Sequence, residues 1–207
     1  RDNYDVALPI LSALNLPATF FIATGYLGDG IMWNDVVRHS IRNTSLQKLD
    51  LREFSMGEVL IDSQQKKVQL IEKLLGHIKY NVVDRRITLV NRLKEIAQVE
   101  NTERLMMNEH EVKELARAGM EIGGHTVNHP ILTCEDEDEA RREITEGKMF
   151  LEKLLNRKLR FFAYPNGQYS KDYNEQHMKI VKEAGFDAAV TTNNGVIDKS
   201  SGVFELP

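Results

Sequence analysis

Met120-Glu-Ile-Gly-Gly-His-Thr-Val-Asn-His-Pro130 sets two histidines four residues apart behind a short apolar run and a pair of glycines. On one helix that spacing would put both rings on one face, but Gly123 and Gly124 before them and Pro130 after them argue for a loop. The reading is a brief strand, Met120 to Ile122, ending in a loop that can hold a metal ion through His125 and His129. Neutral imidazole is the commonest protein ligand for zinc and also suits iron, cobalt and nickel, and a catalytic site adds a third ligand and leaves a position for water. A pair of polar histidines in a surface loop accounts for the spacing equally well, so the surrounding chain has to decide.

On the N-terminal side, Asn108 followed by Glu111 is a capping-box signature, and Val112, Leu115 and Ala116 give the apolar stripe of a helix ending at Gly119. On the C-terminal side, a long amphipathic helix is predicted from Glu137 to Leu155. A strand follows from Arg160 to Tyr164 and stops at Pro165-Asn-Gly167, then a helix from Lys171 to Ala184 capped by Gly185, then a strand from Phe186 to Thr192. Near the start, Tyr4 to Leu14 has helical spacing and Ala18-Thr-Phe-Phe-Ile-Ala23 is a compact run of β-formers. From Trp33 to about Met107 the pattern turns charged and leucine-rich, with helices predicted near Asn34 to Arg42, Ser63 to Tyr80 and Val83 to Gln98, which reads as a helical insertion. The alternation outside it is that of a parallel sheet or barrel, where chemistry sits at the carboxyl ends of strands. His125 to His129 and Tyr164 to Gly167 both fall there.

At 207 residues one domain with a sizeable core is expected. A net charge of −4 with interspersed signs gives no nucleic-acid footprint, and no apolar run reaches the ~18 residues of a membrane span. No signal-peptide h-region stands at the N-terminus, where Arg1 is not a start methionine. The single cysteine, Cys134, rules out an intrachain disulfide and reads as a small buried residue, not part of a zinc cluster. Glu135 to Glu139 reads as a solvated helix start, where carboxylates favour the positive end of the dipole. His39, His77, His110 and His177 lie on predicted helices without ligand-like neighbours. Tyr26, Trp33 and Phe54 read as core, with sugar stacking as the sharper alternative.

Several of these segments, in order, resemble the polysaccharide deacetylases, the NodB-homology group of carbohydrate esterase family 4. Glu121 to His129 is similar to that family's His-[Ser/Thr]-x-x-His metal motif and Ala18-Thr-Phe-Phe-Ile22 to its second strand. Phe162-Ala-Tyr-Pro-Asn-Gly167 is similar to the Phe-Ala-Tyr-Pro-x-Gly variant of its third motif, and Val203-Phe-Glu-Leu-Pro207 to the same subgroup. The resemblance implies a distorted (β/α) barrel with a divalent metal, zinc first and cobalt, nickel or iron as alternatives, that removes acetyl groups from an N-acetylated glycan. Bound zinc can lower the pKa of its water to about 7 and polarise the amide carbonyl.

The resemblance assigns His125 and His129 to the metal and the backbone N–H of Asn166 to the oxyanion. It sets Tyr164, Pro165 and Gly167 against substrate, while Thr126 would brace the loop. It also implies a cell-envelope or extracellular setting. The family's first motif, Thr-Phe-Asp-Asp-Gly, with the third ligand and the general base, is expected before Arg1, and its general-acid histidine beyond Pro207. The arginine and tyrosine of the usual third motif align with Ala163 and Asn166, so base orientation and substrate preference do not carry over. Two other readings remain: a non-catalytic carbohydrate-binding or scaffolding relative, and an amidase of the same fold acting on a small non-sugar amide.

Overall fold

The computed structural model describes residues 1–100, 104–199 and 201–207. The chain divides into two compact units, Arg1–Gly30 with Leu105–Pro207, and Ile31–Arg104.

The first unit opens with a π-helical stretch, Asn3–Ala7, that runs into α1 (Leu8–Ala13). Strand β1 (Thr19–Ile22) follows. The second unit consists of α2 (Trp33–Asn43), a small antiparallel hairpin of β2 (Lys48–Asp50) and β3 (Glu58–Leu60), α3 (Gln64–Lys79) and α4 (Val83–Ala97). The hairpin was not anticipated, because three-residue strands carry too few alternations to register as a period. The unit has its own core, in which Val37, Ile41, Leu74, Ile78 and Leu93 are fully buried. Phe54 belongs to that core, and Trp33 packs against it with the Arg86 guanidinium 5.5 Å from its ring centroid.

The chain returns to the first unit through α5 (Glu109–Arg117), where the reciprocal capping box of Asn108 and Glu111 is formed as the sequence predicts. β4 (Glu121–Gly124), α6 (Glu137–Leu155), β5 (Phe161–Ala163), α7 (Glu175–Glu183) and β6 (Ala188–Val190) complete it. The architecture is mixed α/β. β1, β4, β5 and β6 lie side by side in that order, every pairing parallel, and among the described residues the outer strands β1 and β6 do not pair with each other. The outer edge of β6 is lined by the C-terminal tail: Ala189 N–H donates to Val203 O, Leu206 N–H to Ala189 O and Thr191 N–H to Leu206 O.

Three expectations need correction. Gly123 and Gly124 belong to β4, with ordinary strand dihedrals, and do not open the loop. Their smallness serves packing: a Cβ on Gly123 would lie 2.4 Å from the Phe21 ring, its cross-strand neighbour, and one on Gly124 2.9 Å from the Phe186 ring. The last helix starts at Glu175, not Lys171, because Asn174 takes an extended conformation and caps it. Cys134 is half-buried, not buried. The acidic run does what the dipole argument predicts, with Asp136 capping α6 and Glu137, Asp138 and Glu139 in its first turn.

The start of α7 contains a titratable cap. Asn174 N–H donates to His177 Nδ1 (3.1 Å), and a second backbone bond joins the ring to Leu132. An Nδ1 that accepts must be unprotonated, so the ring is neutral, and burial pulls its pKa below the usual histidine value against the raising effect of Leu132. In the unfolded chain His177 takes up its proton near pH 6.5. The folded state resists that proton, so the stabilisation is complete above ~6.5 and is lost as pH falls through the lower folded value. The melting temperature should therefore drop from pH 7.5 to 5. The drop should be smaller in His177→Gln, which keeps a capping-box residue at that position but does not titrate. Equal drops in the two proteins would refute this account.

Candidate metal centre

His125 follows β4 directly, and His129 ends the same loop. The two ring centroids are 4.7 Å apart and the rings meet edge-on at 78°. His125 Nδ1 lies 2.6 Å from Ala163 O at the end of β5. A carbonyl can only accept, so Nδ1 carries the proton and Nε2 presents its lone pair. The ring is half-buried, and desolvation pulls its pKa down while the Ala163 bond opposes that shift. The neutral form is thereby favoured. A ligating histidine fixed by a backbone acceptor on its other nitrogen is the usual supporting arrangement for a metal site. Two imidazoles held tetrahedrally on one ion at about 2 Å would have centroids roughly 5 Å apart, a spacing this pair matches. Among the described residues no third His, Cys, Asp or Glu joins them.

The loop between the histidines is held on every side. Thr126 (φ +66°) and His129 (φ +53°) are left-handed, an uncommon state for any residue with a Cβ and a strained one for a β-branched residue. The buried Thr126 hydroxyl donates to His125 O (2.5 Å) and accepts the His129 N–H (3.0 Å), closing the turn. Thr24 N–H donates to Thr126 O and Gly25 N–H to Val127 O, and the Tyr26 hydroxyl donates to Asn128 O at 3.0 Å. Gly25 has no room for a side chain, since a Cβ there would lie 2.9 Å from Val127 O. Tyr26 is thus a loop support at the site. Its half-buried ring is therefore tied to the loop and not to the core alone.

Across the loop stands α6. Its Glu143, 2% exposed, accepts the backbone N–H groups of Val127 and Asn128, and the Asn128 side-chain amide as well. Gly147, one turn on, lets the loop approach, because a Cβ there would meet Thr126 O at 2.9 Å. Neither residue was singled out from the sequence. The available signal was a carboxylate in the apolar stripe Ala140, Glu143, Ile144, Gly147, Leu151.

Tyr164, Pro165 and Gly167, expected against substrate, are all buried. Tyr164 stacks on Tyr173 at 3.9 Å and 8°, and its hydroxyl donates to Phe204 O at 2.9 Å, so that side chain is committed to the core. Burial and nearby Tyr173 push its pKa well above the usual phenol value. Main chain is what the turn can offer. Asn166 (φ +61°) and Gly167 (φ +69°) bend it, and it is fixed by the Thr192 hydroxyl donating to Asn166 O (2.6 Å) and Thr192 N–H to Gly167 O. The Asn166 N–H donates to no acceptor among the described residues.

The family model described as polysaccharide deacetylase matches residues 1–189. The chain belongs to that family. Among curated relatives, a peptidoglycan-N-acetylglucosamine deacetylase of Bacillus cereus is 33% identical over 87 residues, 42% of this chain and 38% of its own. YxkH of Bacillus subtilis is 26% identical over 100 residues, 48% of this chain and 34% of its own. This chain therefore spans little more than a third of the length of these curated relatives. Among solved structures, the Streptococcus pyogenes deacetylase PplD in complex with acetate superposes with a TM-score of 0.57 at 21% identity, covering 99% of this chain and 57% of that one. At that identity the likeness speaks for the fold alone.

Proposed function

We propose that the protein is a metal-dependent hydrolase that removes acetyl groups from N-acetylated sugars of a glycan. The observation that carries the reading is the His125 Nδ1 bond to Ala163 O, which leaves Nε2 the unprotonated nitrogen of a ring packed edge-on against that of His129 at the carboxyl end of the sheet. His125 and His129 would hold the ion, and the other coordination positions would go to water, substrate and a group outside the described residues. When bound, a divalent ion makes its water more acidic and polarises the acetamide carbonyl. The chain's own part is then to fix geometry and meet charge. The Asn166 N–H, which has no acceptor among the described residues, can donate to the oxyanion of the tetrahedral intermediate, a contact worth about 3 kcal/mol in comparable sites. Thr126 holds the metal loop closed. Membership of the deacetylase family, together with a relative that acts on N-acetylglucosamine in peptidoglycan, supports an acetamido sugar as substrate.

The test is acetate release by the intact protein, chelated and then given zinc, cobalt, nickel or iron, from chitin oligomers, peptidoglycan fragments and small amides. Release from an N-acetylated glycan that requires added metal is expected. Release from the small amides alone would replace the reading with an amidase. Glycan binding with no release under any metal would replace it with a non-catalytic binder.

A further inference from the structure

α6 buries one carboxylate that its own packing does not require. Glu143 sits in the stripe that faces the core, yet among the described residues no cation lies within ion-pair distance of it. Burying an unpaired charge is costly unless hydrogen bonds replace the lost water. Here all the replacement comes from one loop: Oε2 accepts Val127 N–H (2.8 Å) and Asn128 N–H (2.7 Å), and Oε1 accepts the Asn128 side-chain amide (2.7 Å). Two successive backbone N–H groups converging on one oxygen form an anion-binding nest, which requires the chain to turn left-handed beside them. Thr126 at φ +66° is that turn. The loop carbonyls go the other way, to Thr24, Gly25 and Tyr26, so the peptide units between His125 and His129 are fixed at both ends of their dipoles.

We propose that Glu143 is the positioning residue of the metal loop, holding it in the left-handed turn that brings His129 against His125. This inference rests on the proposed role of the two histidines as ligands. Glu143 touches neither ring, so it acts through Val127 and Asn128. Glutamine at 143 keeps an acceptor for both N–H groups and, with the Asn128 amide reversed, its third bond. Aspartate, shorter by one methylene, and alanine do not reach the loop.

The experiment uses the intact protein and its Glu143→Gln, Glu143→Asp and Glu143→Ala variants, each titrated with zinc and with cobalt, whose absorption reports ligand geometry. Amide exchange is followed at Val127 and Asn128. Glu143→Ala is expected to bind zinc at least ~10-fold more weakly, the usual scale for losing a support behind a ligand. It should alter the cobalt spectrum and lose protection at the two amides, while Glu143→Gln stays within about 3-fold of the unaltered protein. If Glu143→Ala does not fold, Glu143→Asp takes its place with the same expectation. Unchanged affinity in Glu143→Ala, or Glu143→Gln as weak as Glu143→Ala, overturns the proposal. If the unaltered protein binds neither metal, the ligand reading is what fails. Exchange alone then decides the loop: protection kept in Glu143→Gln and lost in Glu143→Ala upholds positioning, and protection unchanged in Glu143→Ala overturns it.

Discussion

Replacing His125 and His129 together by alanine is expected to take the intact protein from about one divalent ion per chain to background, because removing the protein ligands removes the site. Metal-dependent acetate release should fall by at least ~1,000-fold, since the ion's stabilisation of developing charge is worth several kcal/mol. The fold should survive. The main structural loss is the bond from His125 to Ala163 O, at about 0.5–1.5 kcal/mol, with an added cost for leaving that carbonyl without its partner. Elemental analysis of metal content beside a thermal melt separates the two effects. A folded double variant that still carries its metal would remove the basis for assigning these residues as ligands.

The largest effect on stability is expected at Phe162→Ala. Phe162 is the middle residue of β5, fully buried and paired with Gly124 on one side and Ala189 on the other. Its ring lies 5.3 Å from that of Tyr164 and 5.2 Å from that of Phe186, in the tilted arrangements aromatic pairs favour. Removing the ring leaves a cavity beside the rings of Tyr164 and Phe186. The cost should be about 3–5 kcal/mol, a large share of the roughly 5–15 kcal/mol that holds a domain folded. Urea denaturation followed by far-UV circular dichroism would read it as a lower midpoint with an unchanged slope. A loss under 1 kcal/mol would mean that this aromatic cluster is not the centre of the core.

The helices α5 and α6 were legible because each announces itself locally. α6 runs over the predicted Glu137–Leu155, since Asp136 caps one end and Asn156 turns left-handed at the other. What was hidden lies in tertiary contacts. Gly123 and Gly124 read as chain breakers because glycine's backbone freedom is the only property visible locally. In the fold they are spaces for Phe21 and Phe186, side chains about a hundred and about sixty positions away. Glu143 was masked by the many other acids of its helix, and nothing in a helical period tells a buried carboxylate with three donors from one in water. Tyr164 was read by alignment to a substrate-facing motif, and only its stacking on Tyr173 reveals where its side chain went.

The partner of His125 Nδ1 is a main-chain carbonyl, so the ring's protonation pattern is written in how β4 and β5 are aligned and not in any side chain at position 163. Every amino acid brings that oxygen. A substitution at Ala163 that leaves the strand in place therefore keeps the acceptor, and with it the nitrogen of His125 that carries the proton. Only an insertion or deletion that slid β5 along its neighbours would erase the instruction.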